Sequence, residues 1–168
     1  MEISEETLRN ELRNELLHAA KLDSKHRGEL AELAFMRKAA ALGFAVAKPW
    51  GDSDRYDVIV RTGKVFWRVQ IKSVWAKRPT RPHYRLNTRA SSNSSYTAEE
   101  IDFLVAYIFP QDTWYVFPVA VVENRKVICI TPSSKKSPFK QYREAWKLMG
   151  ASVVGTDAET ATAAVVGG

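Results

Sequence analysis

The stretch YDVIVRTGKVFWRVQIKSV, residues 56–74, reads as two β-strands joined at Thr62-Gly63. Val, Ile, Phe and Trp dominate it, yet Gln70 and Lys72 sit two residues apart near its end and Asp57 stands at its start. Strand side chains alternate, so Gln70 and Lys72 share one face while Val69, Ile71 and Ser73 take the other. A hairpin turning at Thr62-Gly63 sets Asp57 on the neighbouring strand at a height comparable to Gln70. Polar groups in an apolar strand pair are costly unless something compensates them. A carboxylate and an amide oxygen suit Mg²⁺, which takes oxygen ligands, keeps several waters and needs only a carboxylate or two. Lys72 suits a phosphate, whose charge it would stabilise, or a water that attacks it. A Mg²⁺ and phosphate site is therefore the expectation.

The flanking sequence supplies a scaffold. Asp23-Ser24 offers an N-cap for a helix over residues 25–42, which ends at Gly43 and carries a broad apolar surface of Leu30, Leu33, Ala34, Met36, Ala40 and Ala41. Strands are expected at 44–48, 56–61, 65–75, 101–109, 113–119 and 126–131, with HYRLN at 83–87 a further short candidate. An amphipathic helix is expected over 138–149, with Phe139, Tyr142, Trp146 and Met149 on one face. Ahead of all this, residues 3–20 fit a helix with Leu8, Leu12 and Leu16 at four-residue spacing. The expected organisation is an N-terminal helical extension at 1–22, one domain at 23–150, and a disordered tail at 151–168. The element order points to a mixed α/β (α+β) fold.

Composition narrows the function. The 168 residues suffice for one domain, and no segment is long and apolar enough to cross a bilayer. The N-terminus is acidic and helical in pattern, unlike a signal peptide, and a cytoplasmic protein is expected. Cys129 is the single cysteine and lies in the apolar run VICI, which reads as a buried thiol and excludes an internal disulfide. His18, His26 and His83 have no metal-ligand spacing. No GxGxxG, GxxxxGK[ST] or GxSxG motif occurs. The net charge is +6, and the distribution is more telling than the sum: between Asp57 and Glu99 there is no acidic residue, while Arg and Lys recur from Arg61 to Arg89. Such a stretch suits a polyanion.

Three segments carry a family resemblance: RGELAELAFMRKAAALGF, KPWGDSDRYD leading to Asp57, and RVQIKS around Lys72, followed by YTAEEIDFLVAY, TWYVFP and YREAW. Over roughly residues 25–149 the chain resembles the PD-(D/E)XK nuclease superfamily, in the branch containing the cyanobacterial group I intron homing endonuclease. The resemblance implies a restriction-endonuclease-like core, a central mixed sheet flanked by helices. It also implies a metal-dependent endonuclease site in which Glu32, Asp57, Gln70 and Lys72 match the motif positions. Most of the superfamily has Asp or Glu where this chain has Gln70. The neutral amide leaves the anionic ligation to Asp57 and Glu32, with Glu29 a competitor one turn away on the same helix.

The expected activity is Mg²⁺-dependent hydrolysis of phosphodiester bonds in double-stranded DNA, with Mn²⁺ an alternative cation. Asp57, Gln70 and Glu32 are the expected ligands, and Lys72 orients or activates the attacking water. Lys77, Arg78, Arg81, Arg85, Asn87 and Arg89 are expected to bind DNA, with Arg85, Asn87 and Arg89 on one face if their segment is a strand. Cutting both strands asks for a homodimer or homotetramer, and the Leu8, Leu12, Leu16 stripe is a candidate interface. A junction resolvase, a repair nuclease or a silenced DNA-binding protein would share the same residues.

Overall fold

A computed structural model describes residues 4, 7, 14, 18, 22–51, 53–76, 80, 82–91 and 94–150. Leu8, Leu12 and Leu16 of the N-terminal extension and the tail from 151 lie outside the described residues.

Helix α1, Ser24–Ala41, starts where its cap dictates. Asp23 Oδ1 accepts the Lys25 and His26 backbone N–H groups at 2.9 and 3.0 Å, satisfying two donors that the first turn leaves open. The helix stops before Gly43, whose φ of +86° carries the chain out in the left-handed region. Its buried stripe, Ala31, Phe35 and Ala39, recurs every four residues and faces the sheet.

Strands β1 (Ala45–Ala47), β2 (Val58–Thr62), β3 (Val65–Val74), β5 (Phe103–Ile108) and β6 (Thr113–Pro118) form one mixed sheet in the order β1-β2-β3-β5-β6. All neighbours are antiparallel except β3 and β5, which run parallel. The β2–β3 turn is tight: Thr62 pairs with Val65, and Gly63 has the positive φ, +55°, that a two-residue hairpin loop favours. Strands β4 (Tyr84–Asn87) and β7 (Val127–Ile130) form a separate antiparallel ribbon, and a short helix α2 (Val119–Val122) precedes β7.

The sheet separates two apolar clusters. On one face α1 covers Val58, Val60, Val69, Ile71, Val105 and Val116. On the other, Tyr84, Leu86, Ile128 and Ile130 of the ribbon cover Leu104, Ala106, Ile108, Tyr115 and Phe117. A clamp fixes β3 against β5 at the start of their pairing. Asp102 accepts from Arg68 N at 2.7 Å and from its guanidinium Nε and Nη2 at 3.1 and 2.9 Å, and Asp102 N returns a bond to Arg68 O at 2.9 Å. Asp102 therefore serves the strand junction. Although burial pushes its pKa up, the Arg68 bonds hold it below the usual value.

The expected helix over 138–149 does not form. The segment makes two single 3₁₀ turns, Lys140–Tyr142 and Trp146–Met149, joined through extended Arg143 and left-handed Glu144 (φ +48°). Its apolar periodicity is real, since Trp146 and Met149 are buried, but backbone bonding to β6 overrides it. β6 is a sheet edge, and Glu144 closes it: Glu144 N donates to Trp114 O and Trp114 N donates to Glu144 Oε1, both at 2.8 Å. Glu144 Oε2 also accepts from Trp146 Nε1 at 2.7 Å. An open edge invites pairing with another chain, and this strap removes it.

Glu144→Ala leaves the Trp114 and Trp146 donors without their acceptor and is expected to cost about 1–3 kcal/mol of stability, Glu144→Gln less. Urea denaturation followed by tryptophan fluorescence measures both; equal stability of Glu144→Ala and wild type would show the strap to be incidental.

Candidate active site

Asp57 lies one residue before β2 and stands opposite Gln70, since Val58 pairs with Val69 and Asp57 N donates to Val69 O at 2.9 Å. Its Oδ2 accepts two bonds from β3, from Ile71 N at 2.7 Å and from Gln70 Nε2 at 2.5 Å. Gln70 Nε2 also donates to Ile71 O at 3.2 Å. Both partners of that nitrogen are acceptors, so the amide orientation is determined and Oε1 turns the other way. Lys72 shares the Gln70 face by strand alternation and lies half-buried, with its Nζ 5.4 Å from the centre of the Tyr96 ring.

Glu32 reaches the same place from α1. It is partly covered whereas Glu29 is exposed, and its charge is the one that acts on Asp57. Glu32 Oε2 accepts from Lys48 Nζ at 2.6 Å, and Lys48 follows edge strand β1. The electrostatics tie the group together. Burial pushes the Asp57 carboxyl up to about 6; the Ile71 N–H bond opposes this, the Glu32 charge adds to it, and Lys72 and Lys48 pull it back. Burial lowers the Lys72 pKa, with Asp57 acting against the fall. The bond to Glu32 raises that of Lys48.

These residues fit a hard divalent cation. The donors are all oxygens: Asp57 Oδ1, whose sister atom carries both β3 bonds, the Glu32 carboxylate and Gln70 Oε1. Asp57 and Glu32 also repel each other across the site, a repulsion that a cation between them would relieve. Among the described residues no three His, Cys, Asp or Glu side chains come together, so a cation here would find carboxylates from those two alone.

Two residues here carried no sequence signal strong enough to single them out. Lys48 is sixteen positions from Glu32, with no motif linking them. Tyr96 reads as the opening of a helical capping box, and the structure keeps only half of that: Glu100 Oε2 accepts from Thr97 N at 3.1 Å within a turn, with no helix following. Tyr96 is instead buried beside Lys72, and burial, with the Asp57 charge, pushes its hydroxyl up to about 12.

Arg85, Asn87 and Arg89 line one groove with Ala76 and Val127. In β4 Tyr84 and Leu86 face the core and Arg85 and Asn87 face out, as alternation requires. Asn87 Oδ1 accepts from Arg89 N at 3.1 Å, which leaves the Asn87 amide nitrogen to an outside partner. Arg89 Nε is buried and has no hydrogen-bond partner among the described residues. Lys77, Arg78 and Arg81 lie outside the described residues. Cys129, expected as a buried thiol, is exposed: it pairs with Arg85 across the ribbon, and its neighbours Ile128 and Ile130 are the ones that face inward. The run VICI alternates in and out although all four residues are apolar.

Because the folded-state pKa of Asp57 is raised, its contribution to stability is full at low pH and is lost as pH rises through about 6. Asp57→Asn removes that titration. In EDTA, the stability of Asp57→Asn relative to wild type is expected to grow by roughly 2–3 kcal/mol between about pH 4 and pH 7. Thermal denaturation of both proteins across that range measures the difference, and a flat difference would contradict the burial of an incompletely compensated carboxylate.

The chain is similar to known nucleases. The family model described as PD-(D/E)XK endonuclease matches residues 22–149. The solved structure of a bacterial homing endonuclease, I-Ssp6803I, is 30% identical with a TM-score of 0.67, over 76% of this chain and 93% of that one. Hjc, a Holliday junction resolvase from the archaeal hyperthermophile Archaeoglobus fulgidus, is 18% identical with a TM-score of 0.43, over 64% of this chain and 85% of that one. No curated protein matches the chain. With a family model matched over residues 22–149 and a solved homing endonuclease 30% identical, the chain belongs to the PD-(D/E)XK endonuclease family.

Proposed function

We propose that this endonuclease hydrolyses phosphodiester bonds of double-stranded DNA at specific sites, using Mg²⁺, for which Mn²⁺ can substitute. The observation that carries the reading is the convergence of Asp57, Gln70 and Lys72, with Glu32 close enough to act on Asp57. Glu32, Asp57 and Gln70 would hold the cation, whose chemistry is to make a water nucleophilic near neutral pH and to offset phosphate charge. Lys72, seated against the Tyr96 ring and attracted by Asp57, presents its ammonium where negative charge builds on the phosphate. The net reaction adds water across one P–O ester bond.

The groove of Arg85, Asn87 and Arg89 is the proposed DNA contact. Arg85 and Arg89 bring two charges to phosphates or guanine edges, and the Asn87 amide nitrogen is left to donate to a base or phosphate acceptor. The Arg89 Nε, buried without a hydrogen-bond partner among the described residues, supports a ligand there. The likeness to a homing endonuclease supports recognition of a specific site. A single centre of this kind cuts one strand, so cleavage of both strands requires a dimer or tetramer of the chain.

Supercoiled DNA containing candidate targets tests the reading directly. Wild type with Mg²⁺ is expected to nick and linearise it, EDTA to abolish the reaction, and Lys72→Ala to reduce the rate by at least 10²-fold. Folded wild type that cuts no DNA with Mg²⁺ or Mn²⁺ would identify Gln70 as the mark of a silenced site. Binding should weaken with salt, and the Arg85→Ala, Arg89→Ala double variant should lower the slope of log K against log salt by about 2 if both contact phosphate. An unchanged slope would remove the groove from the contact.

A further inference from the structure

The site holds two carboxylates, Asp57 and Glu32, and two ammonium groups, Lys72 and Lys48. Gln70 contributes no charge. The cluster is therefore neutral before any cation enters, and a divalent ion would leave it at +2. Lys48 is the unusual member. Lys72 lies on the strand that carries the motif, whereas Lys48 comes from the chain leaving β1 and places its Nζ 2.6 Å from Glu32 Oε2. Its side chain is 52% exposed, while Glu32 is only 19% exposed, so the ammonium sits on the solvent side of the carboxylate. Lys48 also acts on Asp57. It thus interacts with both carboxylates that the cation needs.

We propose that Lys48 competes with the divalent cation for Glu32 and so keeps cation affinity low until DNA phosphates enter the site. The inference rests on the metal-site reading above and adds a regulatory residue to it. The competition has two parts: the ion pair must open before Glu32 can serve the cation, and the displaced ammonium still repels the ion at short range. Phosphate oxygens reverse the balance, since they bring negative charge and give the ammonium a second partner. Cation and DNA binding are then mutually reinforcing, each raising the affinity for the other by the same factor.

Mn²⁺ binding to the full chain without DNA, followed by electron paramagnetic resonance of the free ion, tests this apart from cleavage. Lys48→Met keeps the stem and removes the charge, and is expected to tighten Mn²⁺ binding by about three- to tenfold. Lys48→Arg keeps the charge and should bind as wild type does. Glu32→Gln should bind more weakly than either. If Glu32→Gln weakens binding but Lys48→Met does not tighten it, the competition is overturned and the metal site stands. If Glu32→Gln leaves binding unchanged, or no variant binds Mn²⁺, the metal-site reading falls and the inference falls with it.

Discussion

The Asp57 carboxylate accepts one N–H from the β3 backbone and one from the Gln70 side chain, and this pair of bonds ties the polar site to the sheet. The bonds exist because β2 and β3 pair with Val58 opposite Val69. A slip of one residue would carry Gln70 and Lys72 to the α1 face, into the apolar cluster that holds Val69 and Ile71. Two features set the registers of β3: the Gly63 turn fixes its pairing with β2, and the Arg68–Asp102 clamp fixes its pairing with β5. The geometry of this polar cluster and the strand pairing are thus one constraint.

That explains which parts of the molecule were legible in the sequence. The hairpin was, because strict alternation and a two-residue turn leave one register, and the register brings Asp57 to Gln70. The bounds of helix α1 were, because Asp23 is a cap by chemistry and Gly43 ends a helix for steric reasons, but its face was not: Ala31, Phe35 and Ala39 are buried, while the expected Leu30, Leu33 and Ala40 are exposed. The expected strands all formed within a few residues, and the family and its mixed sheet agree with the resemblance carried by RVQIKS and KPWGDSDRYD. What the sequence hid was decided by partners far along the chain. The 138–149 segment has helical periodicity, yet Glu144 gains more from closing the edge of β6 than from helix bonds. Cys129 looked buried because apolar neighbours mask alternation, and Lys48 and Tyr96 met the site only through tertiary packing.

The face on which the site lies accounts for its electrostatics. Gln70 and Lys72 project from the same side of β3 as Val74, beside Leu104 and Ala106 of β5, toward the cluster capped by the β4–β7 ribbon. Those neighbours offer no hydrogen bonds, so water is displaced without replacement and the charged forms of Asp57 and Lys72 are both disfavoured. The aromatic face of Tyr96 compensates the ammonium in part, and the Ile71 and Gln70 donors compensate the carboxylate in part. Neither is compensated fully.

An incompletely compensated carboxylate links function to folding. Near neutral pH, the ionised form of Asp57 is the one that strains the fold, whereas the protonated form is better accommodated there. Any cation that binds the ionised carboxylate therefore stabilises the native chain by mass action, and the stabilisation is greatest where the unbound site is least favourable. Replacing the usual acidic residue by Gln70 moderates that strain. A third carboxylate beside Asp57 and Glu32 would deepen the repulsion, whereas the amide donates to Asp57 with its nitrogen and keeps an oxygen in reserve. Gln70 thus favours a fold that stands without a bound cation.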